Sequence, residues 1–206
     1  MDLVVNTACD LLAQGRAFVL ATIIERQGSA PRMQGTRMII AGRNEIYGTI
    51  GGGLLEAETM LAAEPMNALE PAKIVEFDLT DQHTTVMEMM CGGRARVLLD
   101  YISPNDENLE LFNDWRNAMV TGRKVMLVSA VTMNRGRIER IEHALIHHDS
   151  GQLTKPIVPD DILTALTSSV VHANQIQVRL PRPFISLGPV MWRNQQPIWQ
   201  PWWASV

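Results

Sequence analysis

The chain has 206 residues, 46% of them hydrophobic and 19% charged, which provides a sizeable core and excludes a wholly disordered chain. Its 18 basic and 22 acidic side chains give a net charge of −4 without a long run of either sign, which argues against nucleic acid or anionic membrane as the main partner. No apolar stretch approaches the roughly 20 residues that span a bilayer. The N-terminus lacks the basic start of a signal peptide, and Cys9 and Cys91 are too few for a disulfide framework. We therefore expect a cytoplasmic protein.

The first third of the chain predicts a helix, three strands and a second helix. Asp2 caps the first helix, and Gly15 ends it. Residues 17–24 form an almost continuous apolar run, which predicts a strand that is buried on both faces. After a loop over 27–35, strands at 36–41 and 45–50 form a hairpin around 42–44. Three glycines at 51–53 then begin a helix that runs to about Glu64.

The remainder predicts strands near 75–79 and 95–101, each with one wetter face, and a third helix capped by Asn105 or Asp106. That helix carries Leu109, Phe112 and Met119. A strand at 125–131 pairs with 138–148, and a helix at 160–166 and a strand at 175–180 follow. This irregular alternation predicts an α/β fold, in which helices pack on a mixed β-sheet in a single main domain, residues 1–180. Four of the five tryptophans lie beyond it, so we expect residues 181–206 to be a linker and a separate tail.

Two glycine-rich segments are the strongest sign of a binding site. We call residues 28–32, Gly-Ser-Ala-Pro-Arg, the first glycine segment, and residues 48–53, Gly-Thr-Ile-Gly-Gly-Gly, the second. Successive glycines let backbone N–H groups approach a ligand, and the helix that follows the second segment favours an anion such as phosphate. Arg32 and Arg37 are candidate partners of that anion, and Glu56 is a candidate acceptor for a ligand N–H group. The alternative is a sharp strand-to-helix turn without a ligand.

Residues 89–93, Met-Met-Cys-Gly-Gly, form a third segment, which we call the cysteine segment. Glycines after Cys91 leave its sulfur reachable and favour the thiolate; the alternative is a small buried residue at the end of a strand. Cys9 lies on the apolar stripe of the first helix, which predicts a core position. His143, His147 and His148 have no carboxylate or cysteine at a spacing that completes a metal site. No Ser-His-Asp order is evident.

The three segments, in this order, resemble the XdhC/CoxI family of accessory proteins for molybdenum hydroxylases such as xanthine dehydrogenase. The resemblance implies that the chain binds the molybdenum cofactor (molybdopterin) and assists its sulfuration and its insertion into an apo molybdenum hydroxylase. A cysteine desulfurase or sulfurtransferase is then a second partner. The cofactor-binding residues predicted in this way are Ser29, Arg32, Gly51, Gly52, Gly53, Glu56, Cys91, Gly92 and Gly93, with Cys91 as the catalytic candidate and no metal ligand.

Alternative functions stay open beside this non-enzymatic maturation factor. One is a sulfur-transfer enzyme that uses Cys91, or a nucleotide-dependent oxidoreductase; another is a pure protein-docking module. We also expect a homodimer, since an absent partner domain leaves apolar surface uncovered.

The tail leads to a further expectation. Family members typically continue into a Rossmann-type domain that opens with a glycine loop. When the codons of residues 186–193 are read in another frame, they can spell Phe-Gly-Ala-Gly-His-Val-Ala. We therefore expect that a frameshift near residues 185–187 removed the Rossmann domain, and that this chain does not bind NAD.

Overall fold

The computed structural model describes residues 2–28, 34–78, 93–134 and 137–147. In chain order these form α1 (Leu3–Ala13), β1 (Phe18–Gly28), β2 (Arg37–Gly42), β3 (Glu45–Gly48), α2 (Gly53–Ala63), β4 (Ala72–Asp78), β5 (Gly93–Ile102), α3 (Asp106–Val120), β6 (Val125–Asn134) and β7 (Arg137–His147). The predicted α/β fold, with helices packed on a sheet, is confirmed. The predicted elements at 160–166 and 175–180 and the tail at 181–206 lie outside the described residues.

A five-stranded sheet with the order β3-β2-β1-β5-β4 is the centre of the fold, and β6 and β7 form a separate two-stranded hairpin. All the pairs between these strands are antiparallel. A register shift between Ile23 and Glu25 places a bulge in β1, which lets Ile24 and Glu25 both contact the same side of the sheet.

The sheet is covered on both faces, as the apolar run at 17–24 predicts. On what we call the first face, Phe18 and Leu20 pack with α1 and α3. On the second face, Val19 and Ala21 pack with Leu55 of α2. The β6–β7 hairpin also covers the first face, where its isoleucines pack against Ile24, Ala72 and Leu98.

The helix ends follow the predicted chemistry. The side chain of Asp2 accepts a hydrogen bond from the backbone N–H of Val4 at 2.9 Å, and that of Asn105 accepts one from Asn108 at 2.8 Å. Cys9 is buried, as predicted, and its thiol donates to the carbonyl of Phe112 at 3.2 Å. None of the helices in the described ranges has the length and apolar content to cross a membrane.

Three local predictions are wrong, each because tertiary packing overrides the sequence signal. The predicted loop at 27–35 begins too early, since Gln27 and Gly28 lie in β1 and pair with β5. Met119 is 36% exposed, and Trp115 fills the core of α3 instead. The expected wetter face of β5 is partly buried at Leu98 and Asp100, because the hairpin covers it.

Candidate functional site

The first glycine segment and the cysteine segment meet at one end of the sheet. Gly28, which begins the first, and Gly93, which ends the second, are direct partners in the β1–β5 ladder. The Cα atoms of such partners lie about 4.5–5.5 Å apart in antiparallel sheets. Ser29, Arg32, Cys91 and Gly92 lie outside the described residues, so the two paired glycines fix where these segments leave and enter the sheet.

The second glycine segment leaves the sheet in the same direction as the first glycine segment. β2 is antiparallel to both β1 and β3, so β1 and β3 run in the same direction and end on the same side. Gly48, the last residue of β3, pairs with Met38 near the start of β2. Through Met38, Gly48 is level with Ala21 of β1, seven residues before Gly28, which is about 23 Å along the strand. The second glycine segment therefore leaves the sheet in the same direction as the first but well before the Gly28–Gly93 end.

The Glu56 carboxylate organises the second glycine segment. Its Oε1 atom accepts hydrogen bonds from Thr49 Oγ1 at 2.5 Å, from the backbone N–H of Gly52 at 2.8 Å and from that of Ile50 at 3.1 Å. Burial alone raises the pKa of this carboxyl, but the bonds from Thr49 and from the backbone N–H groups outweigh it and hold the pKa below its ordinary value. Glu56 is thus an ionised anchor at the start of α2.

This arrangement gives the glycines a conformational role. Gly51, Gly52 and Gly53 have φ values of 140°, 77° and 57°, which L side chains rarely adopt. The geometry has the form of the sharp strand-to-helix turn considered above, with the protein's own carboxylate as the anion. Binding of an external anion by these N–H groups stays a prediction, and it requires Glu56 to move.

Arg37, the other predicted anion partner, points away from this loop. Its guanidinium carbon lies 5.2 Å from the centroid of the Trp115 ring, and Trp115 belongs to the core beneath α1 and α3 on the first face. Leu55 of α2 packs on the second face. The structure therefore separates the Arg37 side chain from Glu56.

A charged cavity of about 510 Å³ lies next to the Gly28–Gly93 pair, formed by β1, β4 and β5. Its ion pairs join Arg96 to Glu25 at 2.9 Å and to Glu76 at 3.1 Å, and Arg94 to Asp78 at 3.1 Å. Its volume is within the range of small-molecule sites, and its lining offers both cations and carboxylates. Sequence reasoning missed it, although charges at alternate positions of β4 and β5 were the available signal.

A buried Ser-His-Asp contact was also missed. His143 Nε2 lies 2.9 Å from Asp100 Oδ2, and its Nδ1 lies 3.0 Å from Ser129 Oγ. Ser129 is only 3% exposed, so its hydroxyl does not face a substrate. The contact joins the hairpin to β5, and a second pair, His147 to Asp114 at 2.9 Å, joins it to α3. The chain order conceals this cluster, because strand pairing and packing bring its members together.

Comparison with known proteins agrees with the family that the segments indicate. Residues 11–78, which include both glycine-rich segments, match the model of the XdhC and CoxI family, and this match confirms the predicted resemblance. A solved structure titled as a xanthine dehydrogenase from Bacillus halodurans has a similar fold, with 21% sequence identity and a TM-score of 0.53. The match covers 71% of this chain and 44% of that chain, so this chain spans less than half of its length. No curated protein matches the chain.

Proposed function

We propose that this chain binds the molybdenum cofactor and assists its sulfuration and its insertion into a molybdenum hydroxylase of the xanthine dehydrogenase type. The observation that carries the proposal is the pairing of Gly28 with Gly93, which joins two family segments at one end of the sheet. The match of residues 11–78 to the XdhC and CoxI family model supports an accessory role for such a hydroxylase. The likeness to the solved xanthine dehydrogenase is a likeness of fold.

Arg94, Arg96 and Glu56 suit the chemical groups of the ligand. The molybdenum cofactor, when bound, supplies a redox-active metal on a dithiolene and also carries a pterin ring and a phosphate. Arg94 directly follows the cysteine segment and, with Arg96, lines a cavity that also holds carboxylates. Such a mixed lining suits a ligand with both an anionic group and N–H donors. The hydrogen bonds to Glu56 end on Oε1, so its Oε2 is the atom we assign to a pterin amino group.

Cys91 is the residue we assign to sulfur handling. Its thiolate attacks the outer sulfur of a persulfide on a cysteine desulfurase, a new S–S bond forms on Cys91, and the desulfurase cysteine leaves as a thiolate. The two glycines that follow Cys91 favour access to its sulfur. This step makes the chain a carrier of sulfur and cofactor for its partner enzyme.

Cofactor retention by purified protein tests the proposal. Wild type, Cys91→Ala and Cys9→Ala are incubated with molybdenum cofactor and desalted, and the bound pterin is then quantified by fluorescence after oxidation. We expect wild type and Cys9→Ala to retain pterin and Cys91→Ala to retain several-fold less. Cys9 is the matched control because its thiol is buried against α3, away from the three segments.

A second measurement on the same proteins tests the sulfur step. Mass spectrometry after incubation with a cysteine desulfurase should show one added sulfur on Cys91 in wild type. Absence of retained pterin in wild type contradicts cofactor binding and favours a docking module. Equal retention by wild type and Cys91→Ala, without a persulfide, contradicts the role of Cys91.

A further inference from the structure

The guanidinium of Arg37 lacks hydrogen-bond partners where it is most enclosed. Its Nε and Nη2 atoms are shielded from solvent, and within the part of the chain that the structure describes neither atom has a hydrogen-bond partner. The Trp115 ring lies 5.2 Å from the guanidinium carbon. An aromatic ring attracts the face of a guanidinium, but it leaves the in-plane N–H groups unsatisfied.

Such an arrangement is energetically costly. Enclosed charged donors without acceptors lose their hydration without compensation. Burial lowers the pKa of Arg37 to about 10, and the charge of Asp2 opposes the effect only in part. Asp2 is also engaged elsewhere, since its Oδ1 caps α1 through the N–H of Val4. An acceptor for these two N–H groups would therefore stabilise the guanidinium, and the described residues do not provide one.

The two unpartnered atoms define which acceptor fits. Nε–H and Nη2–H point in the same direction from one edge of the guanidinium, and this edge binds two oxygens of a carboxylate or phosphate at once. Arg37 begins β2, where it pairs with Thr22 of β1. The N–H groups of Ile50 and Gly52 in the second glycine segment are already bound to Glu56, whereas these two donors of Arg37, on the other face of the sheet, have no partner in the described parts of the chain.

We infer that the Nε–Nη2 edge of Arg37, held against Trp115, is a binding site for a phosphate-type oxyanion. The inference rests on the proposed function for the source of that group, which is the phosphate of the cofactor rather than free phosphate. The oxyanion accepts two parallel hydrogen bonds from Arg37, and Trp115 fixes the plane of the guanidinium. Arg37 is a ligand-binding residue in this scheme.

Thermal unfolding of the full chain in phosphate tests the site. Wild type, Arg37→Met and Arg43→Met are heated in increasing phosphate, with chloride at matched ionic strength as the reference. We expect the Tm of wild type and of Arg43→Met to rise by several degrees and to saturate, because a ligand of the folded state stabilises it. The Tm of Arg37→Met should not respond. Arg43 is the matched control because it is 84% exposed and paired with Glu64.

The measurements without phosphate separate a binding site from an internal ion pair. If Arg37 is a ligand-binding residue, Arg37→Met removes an uncompensated charge, and the Tm of this variant without phosphate equals or exceeds that of wild type. If Arg37 and Asp2 are partners, Arg37→Met and Asp2→Asn both lower Tm and phosphate has no effect, which overturns the inference. Should Arg37→Met fail to fold, Arg37→Lys keeps the charge without the bidentate edge and should weaken phosphate binding about tenfold; unchanged binding overturns the inference.

A cofactor arm distinguishes the source of the oxyanion. Molybdenum cofactor should protect wild type at far lower concentration than inorganic phosphate, and Arg37→Met should lose this advantage. A phosphate shift that depends on Arg37, together with no cofactor retention, supports the oxyanion site and contradicts the proposed function. Cofactor retention that is unaffected by Arg37→Met contradicts the inference and leaves the proposed function standing.

Discussion

The Glu56 carboxylate competes with any anionic ligand for the N–H groups of the second glycine segment. It accepts hydrogen bonds from two backbone N–H groups and one hydroxyl, so these donors of the loop have an acceptor without a ligand. The glycines at 51–53 permit the turn through their positive φ values, and the carboxylate then holds it. The Glu56 side chain thus stabilises both the loop and the start of α2.

Stability of the wild-type protein should depend on pH through Glu56. Its pKa is lower in the folded protein than its ordinary value of 4.5, so its contribution is complete above that value and is lost as pH falls through the folded pKa. Glu56→Gln removes this dependence and should cost about 1 kcal/mol at neutral pH, since the side chain is half-buried.

Urea unfolding of wild type, Glu56→Gln and Glu58→Gln across the acid range measures this effect. Glu58 is the control because it is an exposed acid on the same helix. The free energy of unfolding of Glu56→Gln should fall less than that of the other two between neutral pH and the region below 4.5. Parallel pH profiles for all three proteins contradict the assignment of Glu56 as the anchor.

At the scale of elements, the β6–β7 hairpin is joined to the body by two imidazole–carboxylate pairs. Asp100 is 3% exposed and bound to His143, whose other ring nitrogen contacts Ser129. Asp114 binds His147 in a pair that is more open to solvent. Because polar pairs are harder to replace when buried, the two carboxylates should differ in their contribution to stability.

Asp100→Ala should lower the free energy of unfolding by about 3 kcal/mol, because it leaves His143 buried without its partner. Asp114→Ala should cost about 1 kcal/mol or less. Chemical denaturation followed by far-UV circular dichroism measures the free energy of unfolding of both variants. An equal cost for the two variants means that the inner pair does not hold the hairpin.

Elements could be predicted from the sequence where the signal is local. The cap residues Asp2 and Asn105 and the apolar run at 17–24 specify their own structures. The extension of β1 to Gly28 was missed because it depends on pairing with β5, whose residues are distant in the chain. Burial of Asp100 was missed for the same reason, since the covering hairpin follows it in sequence.

At the scale of the whole molecule, the segments of the candidate site were found in the sequence, but their arrangement was not. Glycine and cysteine patterns identify the segments because these residues have special backbone or sulfur chemistry. The pairing of Gly28 with Gly93 depends on the strand order of the sheet, in which β1 and β5 are neighbours. The charged cavity arises from cross-strand pairs such as Arg96 with Glu25, and no local pattern specifies which strands are neighbours.

The outer surface of α2 is the feature that bears most directly on the expected homodimer. Leu54 and Leu61 are two turns apart and therefore on one side of the helix, while Leu55, Thr59 and Ala63 pack against the sheet. Leu61 is 69% exposed. An apolar strip beside the second glycine segment provides a surface on which a second copy of the chain can bury leucine side chains.

Self-association should therefore depend on Leu61. The strip is short, so we expect a weak dimer whose mass depends on concentration, and Leu61→Glu should shift it to monomer by placing a charge in the contact. The Tm of Leu61→Glu in dilute solution should stay close to that of wild type, because the exposed Leu61 side chain contributes little to the core. Leu3→Glu is the control, since Leu3 is also exposed but lies at the start of α1, where an acidic residue suits the helix dipole. Sedimentation equilibrium decides between the outcomes: a monomeric wild type contradicts the homodimer, and a dimer that persists in Leu61→Glu places its interface elsewhere.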